Sequence, residues 1–197
     1  LIALGGYGRR QLNLFSDIDL LFLLPANTER AELELRLMLY VLYDLKLDLG
    51  NITRTVEEAI DCVGIDFDST TALIESRWLA GDRKLFEQMR TKLKRVLGGE
   101  RRRWFMSEVI NRRDLRHQNQ GASVYMLEPN LKESEGGLRD LHTVAWLSFV
   151  ANGDTRLRAL TEGKFWTPAN LREARKGRSF LLRMRNELHA LEGRRVD

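Results

Sequence analysis

The chain has 197 residues, 43% hydrophobic and 30% charged with only 3 Pro, which excludes a long disordered tract. Its formal net charge is +4, with 28 acidic against 32 basic residues, so charge alone gives no ground for nucleic-acid binding. One cysteine, Cys62, excludes an internal disulfide and suits a cytoplasmic protein, and with three scattered histidines it argues against zinc. No apolar run reaches the length of a membrane span, and no cleavable signal peptide is recognisable, so no membrane partner is expected.

The chain opens inside an apolar stretch, Leu1-Ile2-Ala3-Leu4, and reads as a piece of something longer. A short first strand is predicted there, ended by a tight turn at Gly5-Gly6. The second strand runs from Ile18 to Leu24 and is closed by Pro25. Between Thr28 and Leu45, the apolar residues Leu33, Leu35, Leu37, Met38, Val41, Leu42 and Leu45 fit one broad helical face. A third strand follows, Leu47 to Thr55, with Asp48 inside it.

After residue 65 the pattern turns helical. Asp82 is predicted to cap a helix carrying Leu85, Phe86, Met89, Leu93 and Val96, stopped by Gly98-Gly99, and another helix spans Arg102 to Gln118. The stretch from Gly121 to Gly137, with Pro129 and a glycine pair, reads as a structured loop or short hairpin. A helix opens near Leu138 with Val144, Leu147 and Val150. The last starts at Thr167-Pro168 and carries Leu181, Met184, Leu188 and Leu191. The arginine runs Arg101-Arg102-Arg103, Arg112-Arg113 and Arg194-Arg195 read as solvated helix faces, with an anionic ligand or protein partner as the other reading. The expected organisation is α+β: a small α/β unit over 1–65, then a helical domain over 66–197 that includes the 121–143 loop.

Asp17 and Asp19 carry the most chemistry. In a strand they project to the same side, while Ile18 and Leu20 turn the other way. Two adjacent carboxylates repel each other, so the pair invites a divalent cation, and the neighbouring Gly5-Gly6 turn offers a place for a nucleotide's phosphates. A GxGxxG fingerprint begun at Gly6 fails because Gln11 stands where its last glycine belongs, and the Walker pattern fails as well.

A glycine turn after one strand and Asp-x-Asp on the next resembles the layout of polymerase-β-like nucleotidyltransferases. That resemblance implies a small mixed sheet flanked by helices, followed by a helical domain. It also implies a two-metal mechanism with Mg2+ (or Mn2+) held by Asp17 and Asp19. A third carboxylate is expected to complete the metal site and take the proton of the incoming hydroxyl. Asp48 is the candidate and Asp44 its rival; the plain alternative for Asp48 is an exposed strand aspartate.

Beyond this layout, the chain resembles the bacterial PII uridylyltransferase family along essentially its whole length. The resemblance rests on Gly5-Gly6-Tyr7-Gly8-Arg9, Ser16-Asp17-Ile18-Asp19-Leu20-Leu21 and Leu73-Ile74-Glu75-Ser76-Arg77. It rests above all on Leu127-Glu128-Pro129-Asn130-Leu131-Lys132 with Gly136-Gly137-Leu138-Arg139-Asp140-Leu141-His142-Thr143. It implies transfer of UMP from UTP to a tyrosine hydroxyl of the PII signal protein, with release of pyrophosphate. Gly5, Gly6, Arg9, Ser16, Lys132 and Arg139 are then the candidate nucleotide contacts. For Arg139-Asp140 the other reading is an internal ion pair that shapes the loop.

Two positions depart from the family, which commonly has Gly at position 10 and His at position 51, where Arg10 and Asn51 stand here. Uridylyl removal belongs to an HD-type hydrolase domain. Here His117, His142 and His189 are followed by Gln118, Thr143 and Ala190, so removal is not expected of this chain. The ACT sensor domains of the family are not recognisable either, and the chain reads as the catalytic portion of a longer parent. The alternatives are an adenylyltransferase acting on a protein such as glutamine synthetase, and a catalytically silent nucleotide-binding module. Nucleic-acid binding by the Arg-rich helices is the third.

Overall fold

The computed structural model describes residues 1–26, 28–119 and 130–196. The chain divides into two compact units, Leu1–Leu12 with Ser16–Arg101, and Asn13–Phe15 with Arg102–Asp197. This division lies later than the boundary expected at 65. The difference arises because the sheet of the first unit recruits the next helices as its cover.

In the first unit, β1 (Ile2–Ala3) leads into a one-turn helix α1 (Gly5–Gly8), where the sequence suggested a tight turn. Then come β2 (Ile18–Leu24), α2 (Glu29–Asp44) and β3 (Leu49–Thr55). The parallel β2–β3 pair requires a crossover, which α2 supplies. β4 (Arg77–Trp78) pairs antiparallel with β1, as β1 does with β2, and the mixed sheet has the order β3-β2-β1-β4. Helices α3 (Val56–Asp61), α4 (Phe67–Ile74) and α5 (Arg83–Val96) complete the unit, with α5 packed on both α3 and β2. The core takes in Ile2, Leu20, Leu21, Phe22, Val63, Ile74, Met89 and Leu93, each buried side chain contributing about 2 kcal/mol.

Caps placed from sequence recur where polar side chains precede apolar runs. Asp82 accepts from Lys84 N–H at 2.8 Å to open α5, and Thr167 forms a capping box with Asn170. The stripe predicted for α2 differs. Leu33, Leu37, Met38, Val41 and Leu45 are exposed, and Leu35, Leu39 and Leu42 form the half-buried row. An apolar face this broad does not itself specify which row meets the sheet.

The second unit contains α6 from Arg102 onward (the helix runs Gly99–Asn119), α7 (Leu138–Asn152), α8 (Leu157–Glu162) and α9 (Pro168–Glu192). The last three pack on one another. α7 buries His142, Trp146 and Phe149, whereas the predicted Val144, Leu147 and Val150 are half-buried. On α9 the buried residues are Arg185 and His189, while Met184 and Leu191 of the predicted stripe are exposed. These polar residues are buried because they serve the segment Asn13–Phe15. Arg185 Nη1 donates to Asn13 Oδ1 at 2.8 Å, and the ring nitrogens of His189 face the carbonyl oxygens of Leu14 and Val196. Of the loop expected over 121–137, residues 121–129 lie outside the described residues. No helix among the described residues is long and apolar enough to cross a membrane.

Candidate active site

Asp19 lies in β2 opposite Gly50 of β3, and its carboxylate occupies a slot made by two glycines. A Cβ on Gly50 would stand 2.6 Å from Asp19 Oδ1, and one on Gly5 would stand 2.5 Å from Oδ2. The slot exists only because both positions lack a side chain, and Gly5 also uses the left-handed region at φ +51°. An isolated glycine within a strand signals such a close approach, and Gly50 is a site residue that the motif reading missed.

Asp17 immediately precedes β2, two positions from Asp19, where continued strand alternation would give both the same face. Asp48 sits just before β3, and its carbonyl accepts from Ile18 N–H at 2.8 Å, which sets it across from Asp17 in the parallel register. The sheet thus brings Asp17, Asp19 and Asp48 to one end of two neighbouring strands. Asp17 and Asp19 are half-buried and Asp48 is exposed. Among the described residues no three His, Cys, Asp or Glu side chains form a ready-made metal cluster. The donors are nonetheless all oxygen, and Mg2+ is commonly bound by one or two carboxylates plus substrate phosphates, so the glycine-lined pair fits that ion. Asp44 ends α2, outside the sheet.

Arg9, expected at the phosphates, is ion-paired with the buried carboxylate of Glu75 just after α4. Two positions on, Arg77 donates from Nη2 to Tyr7 O at 2.7 Å and from Nε to Gly8 O at 3.3 Å, with its guanidinium 5.0 Å from the Tyr7 ring centroid. The Leu73–Arg77 motif therefore grips the glycine helix. Arg10 follows at φ +60°, a left-handed conformation that glycine adopts without strain. Arg10→Gly is expected to raise stability by about 1 kcal/mol or less, because relief of the left-handed strain is offset by a freer unfolded chain. A lowered unfolding midpoint would contradict that expectation. Asn51 donates from Nδ2 to Tyr43 Oη at 3.0 Å, an exposed contact at the sheet edge.

Lys132 and Arg139 lie in the second unit, at a loop that closes on itself. Asn130 Oδ1 accepts from Lys132 N–H and Glu133 N–H, and Gly137 is so enclosed that a Cβ would meet three carbonyl oxygens within 3.0 Å. Arg139 pairs with Glu133 at 3.1 Å and lies over the Trp146 ring, and Lys132 Nζ is 3.6 Å from the same carboxylate. Glu133, which the sequence reading passed over, therefore pairs with two of the three expected phosphate cations.

Asp140 does not pair with Arg139. It accepts from Arg116, from His117 at 3.1 Å and from Gly136 N–H at 2.8 Å. Burial pushes its carboxyl up, but the hydrogen bonds from Arg116, Gly136 and His117 outweigh that and hold it below the usual aspartate value. Because the native value is depressed, the stabilisation is complete above the ordinary value of about 3.9 and is lost as pH falls through the native one. Asp140→Asn should therefore flatten the acid limb of a thermal-stability profile, and an unchanged limb would contradict this.

Residues 104–197 match the profile of the family described as GlnD PII-uridylyltransferase. Over its whole length the chain is 41% identical to a bifunctional uridylyltransferase/uridylyl-removing enzyme of Azospirillum brasilense and 38% identical to one of Ruegeria pomeroyi. Over 98% of its length it is 39% identical to one of Rhodospirillum rubrum. It spans 21%, 22% and 21% of those three relatives, about a fifth of each.

Proposed function

We propose, for a chain that belongs to the PII-uridylyltransferase family, that its first unit carries the centre for UMP transfer from UTP to a tyrosine hydroxyl of a PII protein. The observation that carries this reading is the Asp19 carboxylate clasped between Gly5 and Gly50, with Asp17 two positions before it and Asp48 just ahead of the neighbouring strand. Asp17 and Asp19 would hold Mg2+ or Mn2+, which when bound offsets phosphate charge and polarises the α-phosphoryl group.

The rest falls to the chain's own groups. The N–H groups of Gly5 and Gly6 open a four-residue helix that does not pair them internally, and they would donate to phosphate oxygens, with the Ser16 hydroxyl as a further donor. A tyrosine hydroxyl, with a pKa of about 10, needs a base to attack. Asp48, exposed at the start of β3, would take that proton as the tyrosine oxygen bonds to the α-phosphorus and the bond to pyrophosphate breaks. Arg9 keeps Glu75 and acts by holding the glycine helix. Lys132 and Arg139 would have to share Glu133 to bind phosphate, and no step is placed on them.

The test is incubation of the natural full-length protein with purified PII, Mg2+ and UTP, followed by mass spectrometry of the acceptor tyrosine. The expected product is UMP-tyrosine. Transfer of AMP when ATP replaces UTP, with none from UTP, would assign the site to adenylylation instead. Loss of neither activity in Asp17→Asn would refute the carboxylate assignment.

A further inference from the structure

The glycine slot around Asp19 depends on where α1 lies, and nothing within that helix fixes it. Four residues, three of them glycine, have no side-chain cap at the N-terminus, and the backbone bonds that close the turn, Gly8 N–H to Leu4 O at 2.7 Å, Arg9 N–H to Gly5 O at 3.0 Å and Gln11 N–H to Gly6 O at 2.9 Å, are all local. The fixing comes from about seventy positions later in the sequence, a separation set by the hydrogen bonds themselves. Arg77 is in register with Ala3 across the β1–β4 pair, which brings its side chain to the carbonyl end of α1. There it donates to Gly8 O and to Tyr7 O, which also accepts from Arg10 N–H at 3.3 Å, and its guanidinium lies over the Tyr7 ring. Gly8 presses so closely on the Glu75 carbonyl that a Cβ would stand 2.5 Å from it, and the Arg9–Glu75 ion pair closes the far side. The opposite end of the same short helix is Gly5, against Asp19 Oδ2.

We propose that Arg77 is a positioning residue for the Asp19 carboxylate, acting through the Gly5–Gly8 helix. The proposal rests on the assignment of Asp17 and Asp19 to nucleotidyl transfer. Arg77 touches no reacting atom. Its bidentate fork fixes the rotation of α1, the rotation of α1 fixes the Gly5 wall of the slot, and the wall selects one rotamer of Asp19. A lysine retains the charge and one donor but not the fork, so it restores only part of the geometry.

The test compares Arg77→Gln and Arg77→Lys with the parent and with Asp19→Asn, all in the natural full-length protein. Three quantities are read: turnover with UTP, Mn2+ binding by titration without nucleotide, and amide exchange across residues 4–11. Arg77→Gln is expected to lower kcat and weaken Mn2+ binding by about 10–100-fold each, the usual effect of removing a group that orients a metal-binding side chain. KM for UTP should hold, exchange should quicken in residues 4–11, and Arg77→Lys should fall between the two. If Arg77→Gln does not fold, Arg77→Lys carries the same comparison.

A purely structural role would lower the unfolding midpoint while kcat and Mn2+ affinity stay at the parent values, and that result would overturn the proposal. An inactive Asp19→Asn beside a fully active Arg77→Gln overturns the positioning role alone. Parent-like turnover in Asp19→Asn overturns the transfer reading, and the proposal with it.

Discussion

Gly50→Ala is expected to cost about 100-fold or more in kcat while leaving the protein folded, because misplacement of a reacting group by an ångström suffices for that loss. The backbone of Gly50 is not left-handed, so alanine meets no conformational penalty there, and an interior strand position ordinarily favours alanine over glycine. What the added methyl meets at 2.6 Å is Asp19 Oδ1, the far end of a side chain that can rotate. The fold therefore yields by moving the carboxylate out of its slot, and the site is lost without the sheet. Gly5→Ala would mix the same collision with strain at φ +51° and is the less clean variant. Turnover and Mn2+ affinity measured beside the unfolding midpoint separate the two effects. A Gly50→Ala protein with full turnover would show that the observed Asp19 pose is not the working one.

The sequence carried the elements of the first unit well where local chemistry decides them. The strand at Ile18–Leu24 is apolar at every position but Asp19, the cap at Asp82 precedes a periodic run, and Pro25 closes β2. The position of Asp19 within β2 was legible for the same reason, whereas Asp17, read as a strand residue, lies just before it. What was not legible depends on partners distant in sequence. Arg9 reads as a phosphate ligand until Glu75 is seen against it, and Arg139 reads as a phosphate ligand or as a loop-shaping partner of Asp140 until Glu133 and Arg116 are seen to pair with the two. Glu75 lies 66 positions from Arg9 and Arg116 lies 24 from Asp140, so neither pairing shows in the local sequence. The two-residue β4 and the six-residue α8 are too short for periodicity to register, and β4 is the element that delivers Arg77.

The same reasoning explains the misread face of α9, and it leads to the largest expected effect on stability. A helix is assumed to bury its apolar stripe, yet α9 buries Arg185 and His189 because a turn segment, Asn13–Phe15, must satisfy its polar groups there. Asn13 is buried and its amide uses both ends: Nδ2 donates to Asn186 Oδ1 at 2.8 Å and to Leu182 O at 3.3 Å, and Oδ1 accepts from Arg185. Asn186 Oδ1 in turn accepts Leu14 N–H at 3.1 Å, so its amide cannot turn over without losing that bond. Asn13→Ala removes the acceptor of a buried guanidinium and a donor to Asn186 at once, and is expected to destabilise the second unit by about 3 kcal/mol. Asn13→Asp keeps the acceptor and strengthens it with charge but forfeits the donor, so its cost should be smaller. Because a protein with two compact units need not unfold in one step, the measurement is amide exchange along residues 181–189, which reports this unit by itself. Faster exchange in Asn13→Ala than in Asn13→Asp is the expected order. Equal protection in both would mean that α9 is held by its apolar neighbours and not by the segment that buries its arginine.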